Sequence, residues 1–303
     1  MTATNQDGAD HPSSPGAYDS RARIWTVYLF FALSLIALLA TTSMAVVAGY
    51  KSSYGSTEGM TVEGLARFAT TGRMLIVSMW VTAATLIACT LIALRLSKVS
   101  LQQSFGRKFL CLSPGSLLLV MLGAPALGAV LEAFTVLIEV KPSGTLKLIA
   151  DAVAQMHGAE MLLFAVGITV GPAFGEELMF RGYIQPRLVA RYGVTTGIAV
   201  ASALFGLLHM DALQSPLAGI LGLYIGLVAY HTGSLWPAIL THGFNNLLSV
   251  ASLYYFPDAE RDTQASLITG ALGLALFIYC LRYLLSTSVH RTNQRPSESL
   301  AER

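Results

Sequence analysis

The sequence consists mainly of long apolar stretches that are separated by short polar segments. A helical run of about 20 apolar residues is long enough to cross the hydrocarbon core of a bilayer. Eight runs of this kind can be distinguished, at residues 24–49, 74–94, 116–138, 161–185, 194–209, 213–230, 235–253 and 266–285. Because helices satisfy all their backbone hydrogen bonds internally in lipid, the pattern predicts an all-α, polytopic membrane bundle of about eight transmembrane helices.

The spacing of these runs predicts how the helices are grouped. Short connections join the fourth to the seventh run, and short connections make successive helices antiparallel neighbours. We therefore expect a compact helical core at 160–253, with N-terminal transmembrane helices at 24–140 and a last transmembrane helix at 264–286. The polar ends, 1–23 and 287–303, carry too few large apolar residues to pack and are expected to be disordered tails. The first apolar run is expected to be a retained anchor and not a cleavable signal peptide.

One segment before the fourth run has a different pattern. Between residues 145 and 157, apolar side chains recur at helical spacing, at Leu146, Ile149, Val153 and Met156. Polar side chains occupy the other face, at Lys147, Asp151 and Gln155. This amphipathic pattern predicts a short helix lying at the membrane surface.

Composition supports a membrane protein and argues against several other classes. Hydrophobic residues make up 54% of the chain and charged residues only 12%, about half the charged fraction of soluble domains. The net charge of +2 and the absence of a basic cluster argue against nucleic acid as a partner, which leaves the lipid bilayer. The three cysteines, Cys89, Cys111 and Cys280, lack the spacing of a zinc site.

The distribution of positive charge predicts the orientation in the membrane. With eight spans and the N-terminus inside, thirteen of the 19 Lys and Arg residues, Arg181 among them, fall on the cytoplasmic side. Cytoplasmic segments of membrane proteins carry an excess of Lys and Arg. We therefore expect both termini to be cytoplasmic and the plasma membrane to be the location.

Ionisable residues within the fourth run are the first candidates for function. Placing such a side chain inside a membrane span costs about 3 kcal/mol or more, so these residues usually face a functional interior. Glu177 and Arg181 are four residues apart and share one helix face, where they can form an ion pair. Glu176 is turned about 100° from that face, which leaves its carboxylate available for chemistry. Alternatively, both acids lie solvated at the membrane boundary and Arg181 reaches toward water.

Two further pairs occur at the same spacing of four residues, Phe205 with His209 and His242 with Asn246. If the fourth and fifth helices meet in a turn near Gly193, Glu176 and His209 lie at similar distances from it and therefore at one height. Both pairs also have a purely structural interpretation. His209 could be an interfacial or capping residue, and His242 and Asn246 could form hydrogen bonds between helices.

Taken together, these residues resemble the CPBP family of intramembrane glutamic endopeptidases, which includes CAAX-processing and bacteriocin-processing (Abi) proteins. The resemblance is carried by three motifs in family order. These are Glu-Glu-x-x-x-Arg at Glu176, Glu177 and Arg181, Phe-x-x-x-His at Phe205 and His209, and His-x-x-x-Asn at His242 and Asn246. They cover roughly a third of the chain, from about Glu160 to Leu253.

The resemblance implies a membrane-embedded protease that acts on a peptide or protein substrate without a cofactor. In that interpretation Glu176 and His209 activate a water molecule, and His242 and Asn246 stabilise the oxyanion. Glu177, Arg181 and Phe205 would be supporting residues. Such a family acts on CAAX-type or leader-bearing peptides, and the sequence does not choose between them.

Three alternatives stay open at the level of sequence. His209, His242 and a glutamate match the ligand types of a catalytic zinc site, although no His-Glu-x-x-His helix is present. Buried Glu and His residues also occur in proton-coupled transporters, but no repeat relates residues 24–138 to 161–285. A membrane scaffold or immunity protein could retain the same residues without turnover.

Overall fold

The computed structural model describes residues 24–106, 112–141, 143–256 and 263–286, and this part of the chain is all-α. No strand occurs within these ranges. The two predicted tails, 1–23 and 287–303, lie outside the described residues.

Twelve α-helices and one π-helix make up the described part of the chain. In chain order they are α1 (Trp25–Tyr54), α2 (Val62–Ala69), α3 (Gly72–Leu96), α4 (Leu101–Phe105), α5 (Pro114–Leu137), α6 (Gly144–Val153), α7 (Gly158–Met179), the π-helix (Phe180–Ile184), α8 (Gln185–Tyr192), α9 (Val194–Leu208), α10 (Gln214–Thr232), α11 (Leu235–Tyr255) and α12 (Thr263–Ser286). Each of the eight predicted runs corresponds to one long helix or to the continuous helix from α7 to α8. The short helices α2 and α4 were not predicted.

Six helices of the described chain are long and apolar enough to cross a membrane. They are α1, α3, α5, the continuous stretch from α7 to α8, α10 and α12. The fold class is therefore confirmed as an all-α polytopic membrane bundle, with six clear spans against the eight expected. The two remaining helices are α9, which has only 15 residues, and α11. The candidate histidines lie directly after the end of α9 and within α11.

Helix α7, which carries Glu176 and Glu177, packs closely against neighbouring helices. Helices α3 and α11 both pack along α7, α9 pairs with α10, and α5 pairs with α12. Small residues allow this approach: a Cβ on Gly175 would lie 3.1 Å from the backbone of Ala83, and one on Gly243 would lie 2.7 Å from the carbonyl oxygen of Thr169. Small residues at helix crossings are the usual means of close packing in membranes.

The predicted amphipathic segment forms α6, which ends four residues before the predicted boundary at His157. Val153 and Met156, at and just beyond its end, are fully buried in a cluster with Phe164 of α7 and Val250 of α11. Helix α6 therefore packs against the bundle through its C-terminal end.

A π-helix interrupts the fourth span immediately after the Glu-Glu motif. The N–H of Gln185 bonds the carbonyl of Phe180, an i to i−5 hydrogen bond. The next residue, Pro186, has no N–H and its ring crowds the preceding turn, so a wider turn at this point avoids the clash. Pro172, in contrast, lies within α7 without interrupting it.

Candidate functional site

Glu177 is the centre of a buried polar network that joins two helices. Its Oε1 accepts a hydrogen bond from Nη1 of Arg181 at 2.9 Å and one from Nδ1 of His242 at 2.8 Å. The side chain of Glu177 is 0% exposed, and those of Arg181 and His242 are 1% and 6% exposed. The carboxylate thus links α7 and the π-helix to α11.

Arg181 is held on three sides. Besides Glu177, it donates from Nη2 to the carbonyl of Gly222 on α10 at 2.8 Å. Its guanidinium carbon lies 4.7 Å from the ring centroid of Phe205, within range of a cation–π contact. The ion pair predicted from the spacing of four residues is therefore present, and the solvated alternative is wrong for these two residues. Because Arg181 is buried, it does not belong among the cytoplasmic Lys and Arg residues from which the orientation was predicted.

Gln185, one turn after Arg181, also donates a hydrogen bond from its side chain to a backbone carbonyl of α10. Its Nε2 donates to the carbonyl of Gly226 at 2.9 Å, as Arg181 does to that of Gly222. Both acceptors are glycines, and a Cβ on Gly226 would lie 2.8 Å from the Gln185 side chain. The two glycines leave room for polar side chains to reach the backbone of α10.

Glu176 lies beside this network but is not part of its hydrogen bonds. The residue is 7% exposed, and its Oε2 is buried without a hydrogen-bond partner among the described residues. A buried carboxylate oxygen without a partner is costly and usually marks a functional group. As expected from the helical geometry, Glu176 keeps a carboxylate oxygen that Arg181 does not bind.

The ring of Phe205 contacts residues of all three motifs. Its ring centroid lies 5.2 Å from that of His209 and 5.8 Å from that of His242, and both rings meet it edge-on. The same phenyl ring carries the Arg181 contact. Residues of the Glu-Glu-x-x-x-Arg, Phe-x-x-x-His and His-x-x-x-Asn motifs therefore share one aromatic neighbour.

The hydrogen bonds of the two histidines define their tautomers. Nδ1 of His209 lies 3.1 Å from the carbonyl oxygen of Phe205, and Nδ1 of His242 contacts the carboxylate of Glu177. Because both oxygens only accept, each Nδ1 carries a hydrogen. The Nε2 atom of a neutral His209 is then an acceptor and a potential base.

Asn246 lies one turn beyond His242 on α11 and is half-buried. Its Nδ2 donates to the carbonyl of Ile168 on α7 at 3.1 Å. One hydrogen of the amide therefore fixes the side chain, and the second hydrogen stays available for another acceptor.

Sequence reasoning missed the bond between Glu177 and His242. The spacing of four residues pairs Glu177 with Arg181, but contacts between helices depend on helix rotation, which no single helix encodes. The zinc alternative required His209, His242 and a glutamate to converge. In the described ranges no group of three His, Cys, Asp or Glu residues could hold a metal ion.

Comparison with known families matches a part of the chain that contains the three motifs. Residues 158–248, less than a third of the 303-residue chain, match the model of the type II CAAX prenyl endopeptidase Rce1-like family. Comparison with curated proteins and with solved structures gave no match. The match confirms the resemblance that the three motifs indicate and supports a membrane endopeptidase.

Proposed function

Because residues 158–248 match a CAAX prenyl endopeptidase domain, we propose that this protein hydrolyses a peptide bond at the membrane, with Glu176 and His209 activating water. One observation carries this proposal. The buried Oε2 of Glu176, without a hydrogen-bond partner among the described residues, lies next in sequence to Glu177, whose hydrogen bonds join two of the motifs. The ring of Phe205 adds the third motif through its contacts with Arg181 and His242.

Glu176 and Nε2 of His209 are suited to take a proton from water. The water oxygen would attack the carbonyl carbon of the substrate as its proton passes to one of these groups. The tetrahedral intermediate would then collapse, breaking the C–N bond, as the proton is delivered to the leaving amine. A positioned general base contributes about 10²- to 10⁴-fold to such a reaction.

His242 and Asn246 are suited to stabilise the oxyanion of the intermediate. Asn246 has one amide hydrogen to offer. His242 already donates from Nδ1 to Glu177, so donation from Nε2 requires the imidazolium form. Removing one oxyanion donor typically costs about 10²- to 10³-fold in kcat.

Glu177, Arg181 and Phe205 would act through the catalytic groups and not on the substrate. Glu177 orients His242, Arg181 balances the buried charge, and Phe205 packs edge-on against both imidazoles. The proposal needs no metal ion and no other cofactor. The substrate would be a peptide or protein presented at the bilayer, either CAAX-type or leader-bearing.

The test compares membranes that contain the wild-type protein with membranes that contain Glu176→Gln, using mass spectrometry to find uncut precursors. Glu160→Gln is the matched control, since it makes the same change at an exposed position in the first turn of α7. We expect precursors to accumulate in Glu176→Gln and not in Glu160→Gln. Identical peptide profiles for the wild type and Glu176→Gln, in cells that express a substrate cleaved by related enzymes, would reject the proposal.

A further inference from the structure

The turn that follows His209 is organised by one carboxylate. Oδ1 of Asp211 accepts hydrogen bonds from the backbone N–H groups of Leu213 at 2.9 Å and Gln214 at 2.8 Å. In return, the N–H of Asp211 donates to Oγ of Ser215 at 3.2 Å. These bonds cap the start of α10.

The other oxygen of the same carboxylate reaches a distant helix. Oδ2 of Asp211 accepts the N–H of Thr145 at 2.8 Å, at the start of α6 and 66 residues away along the chain. Gly144 has φ of +56°, and a Cβ at this position would overlap the Asp211 carboxylate. Glycine is therefore required at 144 both for the backbone conformation and for the approach of Asp211.

The residue between His209 and Asp211 has an unfavourable backbone conformation. Met210 has φ of +49°, which a residue with a long side chain rarely adopts. Helices often end with one residue in this left-handed conformation, and Lys98 and Glu139 have it after α3 and α5. The N–H of Met210 bonds the carbonyl of Leu207 in the last turn of α9, and the contacts of Asp211 begin at the next residue.

Helix α6 provides a firm support for the bond to Asp211. Its C-terminal end is fastened to α7 and α11 by Val153 and Met156, in the cluster with Phe164 and Val250. A chain of contacts therefore runs from the helices that carry Glu176 and His242, through α6 and Asp211, to the turn that carries His209.

We infer that Asp211 is a positioning residue for His209, holding its imidazole in place by bonding the turn after α9 to the start of α6. This inference rests on the proposed function, in which His209 assists the attack of water. Displacing a catalytic group by about 1 Å can cost 10²-fold in rate, so the bond to α6 has a measurable consequence.

Asp211→Asn separates this bond from the cap of α10. The amide oxygen of Asn can still accept from Leu213 and Gln214, whereas the amide nitrogen would face the N–H of Thr145, donor against donor. Asp151→Asn is the matched control, because it makes the same change on α6 at an exposed ion pair with Lys147. Gly144→Ala breaks the bond from the other side, because its Cβ would overlap the Asp211 carboxylate, and it keeps aspartate at position 211.

Two measurements report on the position of His209 and on the bond to Thr145 without requiring catalytic turnover. The imidazole ¹⁵N shifts of His209 give its tautomer, and amide hydrogen exchange gives the protection of Thr145. In Asp211→Asn we expect a mixture of His209 tautomers and at least tenfold faster exchange at Thr145. We also expect kcat to fall about tenfold to a hundredfold with KM unchanged. Asp151→Asn should match the wild type in all three, and Gly144→Ala should resemble Asp211→Asn.

Unchanged His209 shifts in both Asp211→Asn and Gly144→Ala would overturn the inference whatever the activity. Changed shifts with wild-type kcat would overturn it as well, because the bond would then have no catalytic consequence. If the wild-type protein shows no more hydrolysis than Glu176→Gln, the proposed function fails, and the His209 shifts alone decide whether Asp211 positions the ring.

Discussion

His242 and Arg181 share a single oxygen of Glu177. Nδ1 of His242 lies 2.8 Å and Nη1 of Arg181 2.9 Å from Oε1, and all three side chains are buried. The pair of donors makes Glu177 the only carboxylate in the described part of the chain that joins two of the three motifs through its own hydrogen bonds. Its neighbour Glu176, one residue earlier, takes part in none of these bonds.

This relationship predicts different outcomes for the two adjacent glutamates. Glu177→Gln removes the negative charge that Arg181 faces, and breaking a buried ion pair in this way costs about 3–5 kcal/mol. We expect a clear loss of thermal stability in detergent, with cleavage reduced but not abolished. Glu176→Gln should melt like the wild type and be inactive. Equal effects of both substitutions on stability and on cleavage would contradict this division of roles.

His209→Ala should abolish cleavage and leave folding intact. Its side chain bonds only the carbonyl of Phe205, in the last turn of α9, so its loss removes little that holds the bundle together. The matched control is His157→Ala, an exposed histidine whose side chain does not cap α7. Cleavage of a fluorogenic membrane-presented peptide measures the difference. Full activity of His209→Ala would exclude this residue as a base.

Gly222 and Gly226, the glycines of α10 whose carbonyls accept side-chain hydrogen bonds, should be needed for stability. A Cβ at Gly226 would lie 2.8 Å from Oε1 of Gln185 and 3.0 Å from Cγ2 of Ile198, so Gly226→Ala must displace one of them. Overpacking of this kind costs about 1–3 kcal/mol. Gly115→Ala, where a Cβ meets nothing within 4 Å, is the control and should be neutral or slightly stabilising. Thermal unfolding of the purified variants gives the comparison, and equal melting temperatures would show that Gln185 moves without cost.

Chelators should leave hydrolysis unchanged. The proposed chemistry uses carboxylate, imidazole and amide groups, and no step depends on a Lewis acid. Activity after treatment with 1,10-phenanthroline, together with zinc content by elemental analysis, provides the measurement. Loss of activity that returns on adding zinc would favour the zinc alternative, with His209, His242 and a glutamate as ligands.

The bond between Asp211 and Thr145 should withstand moderate acid. Backbone hydrogen bonds, from Gln214 first and Thr145 next, lower the pKa of Asp211 below its ordinary value. A lowered folded-state pKa means that the stabilisation is complete above the unfolded value of about 3.9 and is lost as pH falls through the folded value. Protection of the Thr145 amide, corrected for intrinsic exchange, should therefore be constant from about pH 8 to pH 5. Loss of protection near pH 6 would point to a different titrating group.

The sequence predicts the helices better than it predicts their contacts. Apolar runs specify where helices form, and residues four apart, such as Glu177 and Arg181, meet on one helix whatever surrounds it. The bond from Glu177 to His242 depends on the rotation of α7 against α11, and that rotation is set by small residues such as Gly243 packing on Thr169. No pattern within one helix contains this information.

The π-helix and the Asp211 bond were missed for related reasons. Pro186 indicates a disturbance in the fourth span, but a kink and a π-turn both relieve the same clash. Asp211 followed by Ser215 resembles an ordinary helix cap, and the second oxygen of its carboxylate meets Thr145 only because the fold brings the start of α6 to it. The positive φ values of Gly144 and Met210 are equally invisible in a hydropathy pattern.

The length of α9 has a consequence for the surrounding lipid. Fifteen residues of helix extend about 22 Å, some 8 Å less than a typical hydrocarbon layer. Its partner in the hairpin, α10, has 19 residues and is long enough to cross a membrane, so the shortfall in length falls on α9. A bilayer accommodates a short element by thinning around it. Such a local depression would bring bulk water and the ends of membrane-bound peptides within reach of the buried carboxylates without requiring a pore through the protein.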